Sequence, residues 1–183
     1  MLEYCKKNKI KYRTIPQHHS PRASFTAYLY TMLKVLHVTF GIKQSDIIES
    51  LNELENLNKK INSSNLTDEN PAISLAKWIN NIPVIYYPFG LESAAIRFKN
   101  SLQENAKIHV ITEDLVEACH NGIVAWEKSS NAKPILIQGA DDYIKTKERW
   151  GILKEYFKLN SIECKEINSV HGAILTKLIS LIY

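Results

Sequence analysis

The spacing of apolar positions changes character along the chain. Phe25 to Phe40 is apolar on nearly every side, interrupted by Thr26, Thr31, Lys34, His37 and Thr39, as expected of a helix largely enclosed by protein. Ser20-Pro21 supplies a cap followed by proline at the first helical position, and Gly41 a left-handed stop. Ser45-Asp46 opens a second helix. It places Ile47, Leu51, Leu54 and Ile61 near one face and leaves Glu49, Glu53, Lys59 and Lys60 for the other, so the two helices are expected to form a hairpin. Ahead of them, Leu2 to Lys9 reads as the tail of a helix, Lys11 to Ile15 as a short strand, and Gln17 to Ser20 as a loop. Asn62 to Asn70 is polar and reads as a loop. Asn70-Pro71 then starts a short amphipathic helix carrying Ala72, Leu75, Ala76 and Ile79 at helical spacing.

Beyond residue 80, short apolar runs alternate with helical patterns. Strands are expected at Pro83 to Tyr87, Lys107 to Ile111, Pro134 to Gln138 and Glu163 to Ile167. Helices are expected near Leu91 to Asn105, Asn121 to Ser129 and Lys145 to Asn160, the last with a Trp150, Leu153, Phe157 stripe. Gly172 to Tyr183 is a further apolar, helix-like run that ends mid-pattern. Such alternation predicts a parallel sheet covered on both faces, wound by right-handed crossovers into a three-layer αβα sandwich. The fold class is therefore α/β, preceded by a helical hairpin. Residues 1–183 are expected to form one domain, with 1–62 its strand and hairpin and 63–183 its αβα core.

At 183 residues, 45% hydrophobic and 23% charged, the composition is that of an ordinary globular domain able to bury a core. No apolar run approaches the about 18 residues of a membrane span, and the polar, basic start lacks a signal-peptide core. Cys5, Cys119 and Cys164 are odd in number and far apart, with neither disulfide nor metal spacing. A cytoplasmic location with reduced thiols is expected, and no metal or other cofactor. The net charge of +4, with Lys6, Lys7, Lys9, Lys11 and Arg13 near the start, comes without a nucleic-acid-binding motif. A mild positive field of this kind suits an anionic small molecule.

The chemistry gathers between Glu104 and Glu127, read as strand, loop and a helix opening near His120-Asn121. In an open parallel sheet, such strand-to-helix loops are where ligands bind. Glu104-Asn105-Ala106-Lys107 followed by His120-Asn121-x-Ile123-x-x-Trp126-Glu127 resembles the carboxyl-terminal sugar isomerase (SIS) domain of the bifunctional phosphoglucose/phosphomannose isomerases. Ser20-Pro21-Arg22-Ala23-Ser24 is similar to that family's Pro-Pro-Arg-Ala segment. Further likenesses are Asn80 with Ile82 to Ile85, Gly90-Leu91 with Ala94, and Pro134 to Arg149. Together they run in the family's order over most of the chain.

The resemblance implies aldose-ketose isomerisation of glucose, mannose and fructose 6-phosphates. That reaction needs a carboxylate base over two adjacent carbons and positive charge or donors for the enediolate oxygen. Arg22 matches the family's intermediate-stabilising arginine. Gly122 stands where the family has its glutamate base, and Glu127, five residues on, faces elsewhere on a helix. His120 is either a ligand contact or a locally hydrogen-bonded loop residue. Asn121 is expected to cap a helix or touch substrate, Glu104 to be a helix-surface charge or a further carboxylate contacting substrate, and His19, just before Arg22, to lie in a solvated loop or reach the sugar. His18 and His171 are weaker candidates, and no histidine in Gly139 to Lys147 matches the family's ring-opening acid/base. The family's serine-rich phosphate loop, in an amino-terminal SIS half, and a lysine near its carboxyl end have no counterpart. Isomerisation by this chain alone is therefore not expected. The alternatives are a non-catalytic phosphosugar-binding module, or a dimerisation module pairing with itself or with a partner SIS subunit.

Overall fold

A computed structural model describes residues 1–16 and 20–183, with the backbone alone at Pro21 and Arg22. The chain divides into two compact units, Met1–Ile47 and Ile48–Tyr183. In the first, helix α1 (Leu2–Lys7) is followed by residues 10–16 without regular structure. The strand expected over Lys11 to Ile15 is thus absent; no strand among the described residues pairs with it, and extended backbone alone does not make a sheet. Pro21–Ser24 forms a 3-10 turn leading into α2 (Phe25–Phe40), which ends at left-handed Gly41 (φ 62°) as expected. Ser20 makes no side-chain cap bond. None of the described residues of α2 is buried: Met32 is 52%, Phe40 69% and Val38 80% exposed. The expectation of an enclosed helix fails because a unit of 47 residues has too little chain to surround sixteen residues of helix.

Helix α3 (Gln44–Ile61) spans the division between the units. Its end is closed by side-chain amides: Asn62 Nδ2 donates to the Asn58 and Lys59 carbonyls and Asn65 Nδ2 to that of Lys60. Asn70 then caps α4 (Pro71–Trp78), its Oδ1 accepting from the Ala72 and Ile73 amides. This is the proline-and-cap start read from the sequence.

Four strands follow, β1 (Ile82–Tyr87), β2 (Ile111–Asp114), β3 (Ala132–Gln138) and β4 (Lys165–Asn168). They form an all-parallel sheet in the order β2-β1-β3-β4. Between and after them lie α5 (Glu92–Ser101) with a π-helical extension (Leu102–Ala106), α6 (Leu115–His120) with a 3-10 turn (Gly122–Glu127), α7 (Ile144–Leu159) and α8 (Ile174–Ile182). Strand residues alternate between two cores. Val84, Tyr86 and Leu136 meet Leu115 and Ala118 of α6 and Trp150, Leu153 and Phe157 of α7 on one face. Ile85, Ile135 and Ile137 meet Ala95 of α5, with Leu75 and Trp78 of α4 and Leu178 and Leu181 of α8, on the other. The Trp150, Leu153, Phe157 stripe is buried as read. The three-layer αβα sandwich with a parallel sheet follows. Winding runs one way from β1 to β2 and the other way from β2 across to β3 and β4, so the covering helices fall on opposite faces and the switch point lies at the carboxyl ends of β1 and β3.

One strand sits later than its apolar pattern suggests. Lys107 to Ile111 is the expected run, yet ladder pairing begins at Ile111, opposite Val84. Left-handed Lys107 (φ 60°) ends the preceding helix. Ile108 and Val110 still bury against the α5/α8 core. They form the lead-in to the strand, whose register is fixed by its partner rather than by its own hydrophobicity.

Candidate active site at the end of β2

Asp114 closes β2 and caps α6, its Oδ1 accepting from the Val116 amide at 2.7 Å. Glu117, three residues on, completes the acidic first turn favoured at a helix amino terminus. His120 and Asn121 therefore end a helix, where the sequence pattern suggests that they open one. Asp114 with Glu117 is the missed signal, since it places the start six residues earlier. Asn121 makes no amide cap; its Nδ2 donates to Glu117 Oε2 at 3.2 Å. His120 is exposed.

Gly122 begins the 3-10 turn directly beside β2. A Cβ built on it would collide with the Glu113 carboxylate, whose Cδ lies only 2.9 Å and Oε1 3.0 Å from that point, with Oε2 nearer still. Glu113 thus occupies the space in front of the glycine. Among the described residues its side chain makes no hydrogen bond or ion pair. Burial, followed by the negative charges of Glu117 and Asp114, raises its pKa above the ordinary carboxylate value. Nothing in the sequence pattern marks Glu113, because the contact depends on a turn that brings residue 122 back against the strand.

Aromatic side chains pack behind this turn. Trp126 Nε1 donates to Tyr86 Oη at 2.8 Å, and Trp126 packs edge-on against Phe157, ring centres 5.4 Å apart. Burial pushes the Tyr86 hydroxyl up to about 12, outweighing the lowering by the Trp126 bond, so it stays a neutral phenol. Cys119 is half-buried, and burial raises its pKa against the pull of Arg149 on α7. A raised thiol is a poor nucleophile. Asp114 and Glu113 push the same thiol further up, so Arg149 and both carboxylates act on one spot.

Two other places bear on ligand binding. A hollow of about 470 Å³ at the ends of β1 and β2 is lined by Tyr87, Phe89, Gly90, Glu92, Ser93 and Asp114. Its two carboxylates oppose an anion at the α5 amino terminus, despite the free amides there. Within the first unit, a larger hollow of about 1250 Å³ is lined by Lys11, Arg13, Lys34 and His37 among apolar and tyrosine side chains. It is the more favourable surface for negative charge.

The loop after β3 is held by ion pairing across the sheet end. Asp141 meets Lys177 at 2.9 Å and also His171. Hydrogen bonds from Lys177 first and His171 second hold the Asp141 carboxyl down at about 2. Its folded pKa lies below the ordinary value, so the contribution is fully present above about pH 4 and lost as pH falls through about 2. Asp141→Asn is therefore expected to lower Tm near neutrality, with the gap from wild type closing as the pH approaches 2 in thermal melts. A gap independent of pH would show that the pair contributes nothing through its charge. His171 is accordingly a structural partner of the loop.

Of the residues singled out in the sequence, His120, Asn121 and Gly122 come together at the turn beside β2. Glu104 is exposed in the π-helical segment leading into the opposite, amino end of that strand. Arg22 lies in the 3-10 turn before α2, its side chain outside the described residues, as are His18 and His19. No group of three or more His, Cys, Asp or Glu suited to a metal occurs among the described residues.

Comparison with known proteins agrees with this architecture. The model of the bacterial phospho-glucose isomerase C-terminal SIS domain matches residues 68–183. A glucose-6-phosphate isomerase like protein from Thermus thermophilus superposes with a TM-score of 0.65 at 16% identity, covering 85% of this chain and 53% of that one. This chain therefore spans about half the length of the Thermus protein, and at that identity the likeness is one of fold. An E. coli protein overlaps more loosely, with a TM-score of 0.46 at 13% identity over 76% of this chain and 72% of that one. No curated protein matches the sequence. With the family model spanning well over half of the chain and the αβα sheet in place, the chain belongs to the bacterial phospho-glucose isomerase C-terminal SIS domain family.

Proposed function

We propose that this chain acts on hexose 6-phosphates as an aldose-ketose isomerase domain, interconverting glucose 6-phosphate or mannose 6-phosphate with fructose 6-phosphate. The observation that carries this reading is the family match over residues 68–183, which includes the His120-Asn121-Gly122 turn at the carboxyl end of a parallel strand. Arg22 is the proposed partner of the enediolate oxygen, its fixed cationic fork suited to a planar anion. His120, Asn121 and His19 are proposed to contact the sugar, and Glu104 is a more remote contributor. A homodimer or a second SIS subunit would complete the phosphate site. No helix among the described residues is long and apolar enough to cross a membrane, and a cytoplasmic location is proposed with the function.

Gly122 favours a second reading, a domain that binds phosphosugars without converting them. Two measurements separate these. Calorimetry with fructose 6-phosphate reports binding, and a coupled assay of glucose 6-phosphate formation reports turnover. Gly122 by itself gives no expectation of turnover by this chain, but the Glu113 carboxylate stands in the space in front of it, so both responses are expected. Binding with no turnover leaves the second reading, and neither response removes both.

A further inference from the structure

Isomerisation requires a carboxylate over the two reacting carbons, and residue 122 offers only hydrogen. The structure nevertheless does not leave that place empty. Glu113, from the second-last position of β2, extends its carboxylate into the space a side chain at Gly122 would fill. Any side chain at 122, beginning with its Cβ, would exclude Glu113 from that position. The glycine and the glutamate are therefore sterically linked.

We propose that Glu113 is the proton-transferring base of this domain, supplied by strand β2 in place of the residue lost at position 122. This inference rests on the isomerase reading. Glu113 would take the C2 proton of the open-chain aldose. The C–H electron pair becomes the C1–C2 double bond as the C1 carbonyl oxygen takes the negative charge. The protonated Glu113 then returns its proton to C1, while the C2 hydroxyl yields its proton to the oxygen on C1 and becomes the ketone. Nothing is oxidised or reduced overall.

Three features suit Glu113 to this role. It stands near the carboxyl end of β2, paired with β1, and so on the side of the sheet at which open parallel sheets bind ligands. Among the described residues, its side chain has no hydrogen bond or ion pair to break before it can accept a proton. Its environment of partial burial, Glu117 and Asp114 favours the protonated form more than water does, which strengthens a carboxylate as a base. Tyr86 beneath it stays neutral and adds no competing charge. Asp114 is occupied as the α6 cap and Glu117 by Asn121, so neither nearby carboxylate is as free.

The test compares wild type, Glu113→Gln and Glu113→Asp in the coupled assay, with fructose 6-phosphate binding measured by calorimetry and folding by thermal melts. Glu113→Gln is expected to lose about 100-fold or more in kcat with Kd changed less than about threefold, while Glu113→Asp keeps part of the rate. Wild-type turnover in Glu113→Gln overturns the assignment and leaves the isomerase reading standing. A wild type that binds the sugar phosphate but never turns it over also overturns the assignment. A wild type that neither binds nor converts it removes the assignment together with the reading beneath it. Should Glu113→Gln melt at ambient temperature, the Gly122→Ala variant, which leaves the carboxylate chemically intact, carries the test.

Discussion

Phe157→Ala is expected to lower unfolding free energy by about 3–5 kcal/mol, the usual cost of emptying an aromatic position in a core. Phe157 is fully buried and touches three aromatic neighbours: Trp126 at 5.4 Å, Tyr156 at 6.2 Å and Tyr86 at 6.4 Å between ring centres. Domains hold only about 5–15 kcal/mol in total. A change of this size should move Tm by roughly 6–20 °C at this chain length. The consequence extends to the site, because Trp126 anchors the 3-10 turn that begins at Gly122 and leans on Phe157 from the other side. Urea unfolding of the variant measures the loss. A change below about 1 kcal/mol would mean that the α7 face of the sheet is not packed as described.

Gly122→Ala is expected to slow turnover about 100-fold, although it adds a single uncharged methyl group. That methyl would lie where the Glu113 carboxylate now sits, and a flexible side chain will swing away at little cost in stability. Misplacing a reacting group by about 1 Å can cost a factor of about 100 in rate. Substrate affinity should hardly change. Gly122→Glu is expected to fare no better, because it brings a second carboxylate against Glu113, and two such groups sharing one site cannot both ionise freely. The expectation is checked by kcat and Kd measured on both variants. If residue 122 were simply the scar of a lost base, alanine would be neutral and glutamate would restore activity. Those two outcomes together would contradict the role given to Glu113.

Much of the αβα core was legible because its signals are local. The short apolar run Pro134 to Gln138, the Trp150, Leu153, Phe157 stripe and the Asn70-Pro71 start each need only a few adjacent residues, and each is found where the pattern puts it. The β2 region is displaced by several residues because two rules compete. Ile108 and Val110 give a strand-like alternation, but hydrogen-bond register with β1 decides where the strand begins. The apolar surround of α2 reads as burial, whereas hydrophobicity states only what a helix could bury and not whether enough chain exists to cover it.

The site divides along the same line. The His120-Asn121-Gly122 turn is visible as a motif, including its missing side chain. Glu113 is not, since its importance lies in a contact across a helix and a turn rather than in any spacing. A carboxylate filling the place of an absent one can be recognised only once the backbone shows which space the glycine leaves.

The most direct measurement is proton exchange at the substrate carbon. Fructose 6-phosphate incubated with the wild-type chain in heavy water, and followed by NMR, should acquire deuterium at C1 while glucose 6-phosphate forms with deuterium at C2. A sample in which calorimetry shows the sugar phosphate bound, yet neither glucose 6-phosphate nor label above a protein-free control appears, would contradict an isomerase whose base stands on β2.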